Sequence, residues 1–117
     1  MADAERTYTA EHVIAAAPWD VFELLVDAEH QGQWRDRWET HAPVVSDRAY
    51  THVRFEDGLE LALEPEGAGT LLTATRTRTG EGLTGRIGLL FQSRSRVESE
   101  MEAQLKRIGA SVEFGAI

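Results

Sequence analysis

Four histidines are the side chains of this sequence best suited to acid–base chemistry or metal binding: His12, His30, His41 and His52. No two of them have the spacing of H-E-x-x-H, which places two ligands on one helical face, so no metal site is expected. His12 and His52 fall in segments with strand-like alternation, and an inward-facing imidazole there could act as an acid or a base. A partly exposed strand histidine without chemistry is the alternative.

Covalent catalysis and nucleotide cofactors find little support in the sequence. It contains no cysteine and no serine within a G-x-S-x-G turn, so no nucleophile is predicted. Residues 80–85, GEGLTG, fit the G-x-G-x-x-G pattern that binds dinucleotides. That pattern functions in a β-α-β unit whose helix leads to a second parallel strand. Here the helix is expected to run almost to the last residue, so we interpret the glycines as a flexible turn and predict no cofactor.

The last third of the chain carries apolar residues at helical spacing, which predicts a long helix from about Gly82 to Glu113. Arg94 alone interrupts its apolar stripe. It could lay its methylenes on the core and pair with a sheet carboxylate such as Glu60 or Glu64. It could also enter a pocket and donate to a ligand oxygen. The stripe consists of Leu83, Ile87, Leu90, Arg94, Val97, Met101, Leu105, Ile108 and Val112.

Charge and composition exclude several classes of partner. The 117 residues carry 20 acidic and 12 basic side chains, a net charge of -8. A surface for nucleic acid or anionic lipid needs an excess of Lys and Arg, so neither partner is expected. No run of about 18 apolar residues occurs, so no membrane span is predicted. The polar, acidic N-terminus does not resemble a signal peptide, which makes the cytoplasm the expected location.

The remaining pattern predicts an α+β protein with strands on both sides of two short helices. Pro18 suits the first turn of the first helix, and Asp57-Gly58 is a hairpin signal between two alternating runs. In the second of these runs, Leu59, Leu61 and Leu63 share one face. Strands are predicted at residues 6–15, 40–46, 49–56, 59–64 and 70–79, and helices at 19–28 and from 30 to about 37.

Three runs of sequence carry a family resemblance. Residues 12–34, HVIAAAPWDVFELLVDAEHQGQW, combine a strand, a step to Pro18, an amphipathic helix and the closing Trp34. Residues 55–80 and 85–113 supply later strands and a terminal helix. In this order they resemble the START-like (SRPBCC) superfamily, which includes polyketide cyclases/dehydrases and pollen-allergen-type proteins. The resemblance implies a helix-grip fold, in which a curved antiparallel sheet wraps around the C-terminal helix and a ligand cavity lies between them.

The chain is shorter than that family's pattern in one place. The segment between Trp34 and Arg54 lacks room for the family's extra hairpin. We therefore expect a sheet of about five strands, within the usual range of sheet sizes. A shortened sheet could leave an exposed edge, and exposed edges pair with other strands, so a homodimer is a possible assembly.

The resemblance implies one START-like domain over residues 1–117 that binds an apolar or amphipathic small molecule of lipid, polyketide or aromatic type. We expect a non-catalytic binding protein. One alternative is an enzyme of the cyclase/dehydratase type that uses the same cavity; another is a protein-interaction domain with a reduced cavity. The candidate ligand-binding residues are Arg94, Leu90, Val97, Met101, Tyr8, His12, His52 and Trp34.

Overall fold

The computed structural model describes residues 4–35, 41–80 and 93–113. It confirms the predicted α+β class, with five antiparallel strands, short helices after the first strand and a long C-terminal helix. A single 3-10 turn, Ala28–His30, links the two short helices. The elements are β1 (Ala4–Ile14), α1 (Pro18–Val26), α2 (Gln31–Trp34), β2 (Val44–Arg48), β3 (His52–Phe55), β4 (Leu59–Glu66), β5 (Gly69–Gly80) and α3 (Arg94–Glu113).

The sheet has the strand order β1-β5-β4-β3-β2, and every neighbouring pair is antiparallel. Tight turns connect β2 through β5 in sequence, while β1 pairs along its whole length with the last strand. The predicted Asp57-Gly58 turn is confirmed: Gly58 has a φ of 93°, which glycine adopts without steric cost. The two edge strands of the sheet are therefore β1 and β2.

One face of the sheet packs against α3 and forms the core. The predicted alternation of β4 is confirmed, because Leu59, Leu61 and Leu63 are all buried. An apolar stripe on α3 meets this face, as predicted for the C-terminal helix. The core also includes the inner sides of α1 and α2, and its other buried apolar residues are Tyr8, Ile14, Val21, Leu24, Leu25, Trp34, Ala42, Val53, Phe55, Leu72, Ala74, Val97, Met101, Leu105 and Ile108.

The C-terminal helix begins at Arg94, later than the predicted start near Gly82. The hydroxyl of Ser93 accepts a hydrogen bond from the backbone N–H of Arg96 at 3.4 Å, and its carbonyl accepts from the N–H of Val97. A serine in this position satisfies the free N–H groups of a first turn, so it favours a helix start at the next residue. Residues 81–92, with Leu83, Ile87 and Leu90 of the predicted stripe, lie outside the described residues.

Two other boundaries differ from prediction at the turn between β2 and β3, and the first is the end of β2, which lies at Arg48 and not at residue 46. The predicted strand at 49–56 begins only at His52, since the carbonyl of Arg48 accepts from the N–H of Thr51 at 3.0 Å. Tyr50 lies within this turn at a φ of 65°, outside the strand conformation.

None of the helices in the described ranges has the length and hydropathy needed to span a bilayer.

Candidate functional site

Tyr8 and Arg94, two of the predicted site residues, meet where β1 faces the first turn of α3. The Tyr8 side chain is fully buried on the inner face of the sheet, and the Arg94 guanidinium lies 5.3 Å from its ring centroid. The Arg94 side chain is 53% exposed. Its Nη1 donates to the carbonyl of Thr7 at 2.8 Å. The guanidinium therefore covers Tyr8 from the surface and bonds to the backbone of β1.

Glu98 completes a cap on the edge of β1. Its Oε2 accepts a hydrogen bond from the N–H of Thr9 at 2.9 Å and lies 3.6 Å from Nη1 of Arg94. The Thr7 carbonyl and Thr9 N–H point away from β5, because backbone groups of alternate residues face opposite sides of an antiparallel strand. Arg94 thus binds the Thr7 carbonyl and Glu98 binds the Thr9 N–H, two backbone groups that could otherwise pair with another strand.

His12, another predicted site residue, lies at the other end of β1. It is half-buried on the same face as Tyr8 and faces Gly109 of α3. If Gly109 carried a Cβ, that atom would lie 3.6 Å from Nε2 of His12. The carboxylate of Glu113 lies 3.2 Å from that same position. A strand rises about 3.3 Å per residue, so His12 and Tyr8 are about 13 Å apart along β1. His12 does not converge with Arg94.

A surface cleft opens beside this end of the inner layer, between α1 and the last turn of α3. Its volume is about 530 Å³, within the range of small-molecule pockets. Its lining combines four apolar residues with four carboxylates and one imidazole. The lining residues are Ala15, Ala16, Asp20, Glu23, Leu24, Asp27, His30, Val112 and Glu113.

The cleft was not predicted from the sequence, although the spacing of three of its acidic residues is visible there. Asp20, Glu23 and Asp27 recur at the spacing that places side chains along one side of a helix. Their position opposite α3 depends on a contact between distant segments, which spacing does not show. These acids do not form a metal centre: in the described part of the chain, no group of three or more His, Asp or Glu side chains could hold a metal ion.

Trp34 lies in the core, where it packs against Phe55 with 5.6 Å between ring centroids. Its neighbour Arg35 is also buried, a residue that the sequence analysis did not single out. The Arg35 guanidinium lies 4.9 Å from the Trp34 ring and 5.0 Å from the Phe55 ring. Its Nη1 donates to Oδ2 of Asp57 at 2.8 Å and its Nε donates to Oε1 of Gln31 at 2.6 Å.

The Arg35 cluster joins three segments that are distant in sequence. Oε1 of the buried Gln31 also accepts from the N–H of Ala42 at 3.0 Å, and its Nε2 donates to the Ala42 carbonyl at 2.7 Å. Asp57 contributes from the β3–β4 turn. Partial burial raises the pKa of the Asp57 carboxyl, but the hydrogen bond and charge of Arg35 outweigh it and hold that pKa below its usual 3.8. This cluster stabilises the fold and lies away from the cleft.

His52 lies on the outer face of the sheet, because the side chains of its neighbours Val53 and Phe55 fill the inner face. Its Nε2 pairs with a carboxylate oxygen of Glu60 on the adjacent strand. His52 is thus separated from Tyr8, His12 and Arg94 by the thickness of the sheet. The predicted site residues Val97 and Met101 are buried in α3 against the inner face, and Leu90 lies outside the described residues.

A five-stranded antiparallel sheet packed on a C-terminal helix defines the fold class, and solved structures share it. One similar structure is the Aha1 dimer from Colwellia psychrerythraea, with a TM-score of 0.65 and 12% identity over 94% of this chain and 98% of that one. Another is a protein of unknown function from Staphylococcus aureus, with a TM-score of 0.71 and 10% identity over 97% of both chains.

A third similar structure, from Staphylococcus saprophyticus, has a TM-score of 0.65 and 17% identity over 94% of this chain and 93% of that one. At these identities the likeness establishes the fold and nothing about activity. No family model matches the sequence. No curated protein matches it either.

Proposed function

We propose that this chain is a shortened START-like protein that binds an apolar or amphipathic small molecule. The observation that carries the proposal is the cleft of about 530 Å³ between α1 and α3, which opens where the apolar layer between sheet and helix ends. The order of elements, with a sheet packed on the C-terminal helix, supports the START-like assignment. Ligand pockets often occur between packed elements and combine apolar walls with a few polar groups.

The lining of the cleft suggests how the ligand is oriented. Leu24 and Val112 offer apolar contacts from α1 and α3, and Ala15 and Ala16 leave room between them. The carboxylates at the rim disfavour an anionic head group by charge repulsion, so the ligand's polar end is neutral or cationic. Within this proposal Arg94 does not orient the ligand, because its bonds to the β1 edge lie at the opposite end of α3.

Filling the cleft tests the proposal. Val112→Trp adds an indole to a half-buried position in the cleft wall, whereas Val13→Trp makes the same change on the exposed side of β1. The fluorescence of N-phenyl-1-naphthylamine, a neutral apolar probe, is expected to rise with wild-type protein and with Val13→Trp. We expect Val112→Trp to weaken probe binding at least tenfold, since an occupied pocket excludes the ligand. Equal binding by both variants, or none by the wild type, would contradict the proposal.

We further propose that the chain forms a homodimer through β2. This strand ends the sheet opposite β1, and its side chains from Val45 to Arg48 are exposed. Arg94 and Glu98 already cap the edge of β1, so β2 offers the more accessible backbone groups. The similar structure from Colwellia psychrerythraea is described as a dimer, which supports assembly in this fold.

The oligomeric state checks the β2 proposal. A lysine on an edge strand opposes strand pairing, so Val45→Lys is expected to shift a dimer to monomer in light scattering after size exclusion. Val13→Lys is the matched control, because Val13 is equally exposed on the other end strand. A wild type that is monomeric at every concentration, or a dimer that both variants leave intact, would refute assembly through β2.

A further inference from the structure

Three aromatic side chains form a ridge on the outer side of α1. Trp19 is 55% exposed and Tyr50, in the β2–β3 turn, is 49% exposed. Phe22, three residues after Trp19 on α1, meets the Tyr50 ring edge to face, with 5.5 Å between centroids. Tyr50 holds this position at a φ of 65°, in the left-handed region that residues with a side chain rarely adopt. We call these three residues the aromatic ridge.

The geometry of α1 places acidic groups directly beside the aromatic ridge. At about 100° per residue, Trp19 and Phe22 share one flank of the helix, and Asp20 and Glu23 occupy the next. Val21, Leu24 and Leu25 point the other way, into the core. Both carboxylates are exposed, and Asp20 and Glu23 also line the rim of the cleft. The outward side of α1 is therefore half aromatic and half acidic.

We propose that this side of α1 is a docking surface for a partner protein, which presents an apolar side chain next to Lys or Arg on one segment. Exposed tryptophan and tyrosine are the side chains that most often anchor protein interfaces. The adjacent carboxylates select for a basic neighbour by charge complementarity. The same carboxylates, on a protein with a net charge of -8, repel nucleic acid and anionic lipid, so a cationic protein segment is the occupant.

Docking of a partner protein on the aromatic ridge is a different function from small-molecule binding in the cleft, and each can be disproved without the other. The ridge lies on the flank of α1 turned toward Tyr50, whereas the cleft lies on the flank turned toward α3. Trp19 and Tyr50 do not line the cleft. A Trp19→Ala variant that still binds N-phenyl-1-naphthylamine but loses the partner segment would show that the ridge and the cleft act independently.

Two helical peptides of about 14 residues test the docking surface, a length at which isolated helices become marginally stable. Both carry leucines at helical spacing; one has lysine and the other glutamate at the remaining positions. We expect the Leu/Lys peptide to bind, with the largest amide NMR shifts at Trp19, Phe22, Glu23 and Tyr50. Trp19→Ala should weaken binding at least fivefold, the effect of a residue that contributes about 1 kcal/mol. Glu23→Lys should weaken binding and reduce its salt dependence.

Matched variants separate this surface from general attraction to an acidic protein. Val13→Ala removes an equally exposed apolar side chain from β1, and Glu64→Lys makes the same charge change on β4. Both should bind the Leu/Lys peptide like the wild type. The proposal is overturned if the controls weaken binding as much as the ridge variants, or if both peptides bind equally. It is also overturned if Trp19→Ala instead abolishes self-association, because a second copy would then be the occupant.

Discussion

The buried guanidinium of Arg35 pairs with the carboxylate of Asp57, and this ion pair stabilises the fold. Replacing Asp57 with alanine removes the charge partner at 2.8 Å and leaves Arg35 fully enclosed between two aromatic rings. Removing a carboxylate from beside a buried charge costs more than the ion pair contributes, because the charge remains desolvated. We therefore expect Asp57→Ala to be among the most destabilising changes at a partly exposed position.

The loss of stability in Asp57→Ala depends on the contacts that Arg35 retains. Breaking a buried ion pair typically costs about 3–5 kcal/mol. Arg35 retains its bond to Gln31 and both aromatic faces, and Asp57 is 29% exposed, so water can partly replace the carboxylate. We expect a loss of about 2–3 kcal/mol in the free energy of unfolding, which corresponds to about 10 °C in Tm for a chain of this size.

Urea unfolding of three variants measures this cost. Asp57→Ala should lose the stated free energy, and Arg35→Met in the same chain should recover at least half of it, since no charge then remains buried. Glu64→Ala, which removes an exposed acid from β4, is the control and should change stability by less than about 0.5 kcal/mol. A loss no larger than that of the control, or no recovery in the double variant, would refute the role given to the Arg35–Asp57 pair.

Three further predictions concern pH, the β1 edge and a close backbone contact. The pKa of Asp57 is lowered on folding, so its stabilisation should be complete above pH 3.8 and disappear as the pH falls through the folded pKa, measured as the difference from Asp57→Asn. Glu98→Ala should speed hydrogen exchange of the Thr9 amide about tenfold, because one hydrogen bond is lost. Gly69→Ala should cost about 2 kcal/mol or more in chemical unfolding, since its Cβ would lie 2.3 Å from the carbonyl oxygen of Ile14.

A different result would contradict each of these three predictions. A pH-independent difference between wild type and Asp57→Asn would contradict the lowered pKa. Glu100→Ala removes a carboxylate from the same helix without touching β1, and equal acceleration at Thr9 would contradict the cap. Gly109→Ala makes the same change within α3, where the nearest atom is a flexible carboxylate, and it should be neutral or stabilising. An equal loss in both glycine variants would refute the steric argument.

The sequence predicted the features that depend on neighbouring residues. The alternation of Leu59, Leu61 and Leu63 and the Asp57-Gly58 turn were correct, because strand faces and tight turns are encoded locally. The Arg35 cluster was missed, since it joins segments that only the fold brings together. A lone arginine after Trp34 carries no sign of its burial.

The position of Arg94 shows a second limit of pattern analysis. Helical spacing placed it within the apolar stripe, on the assumption of one helix from Gly82 onward. Because Ser93 caps the helix, Arg94 occupies the first turn, where side chains reach the surface and the edge of β1. The spacing was right for Val97 and Met101 but did not show where the helix starts.

We propose that a small apolar or amphipathic molecule binds in the cleft between α1 and α3. Titration of assigned, isotope-labelled protein with N-phenyl-1-naphthylamine, followed by amide NMR, tests it most directly. We predict saturable shifts concentrated at Ala15, Ala16, Leu24 and Val112, which line the cleft. No shifts at the solubility limit of the probe, or shifts confined to the outer face around His52, would contradict the claim.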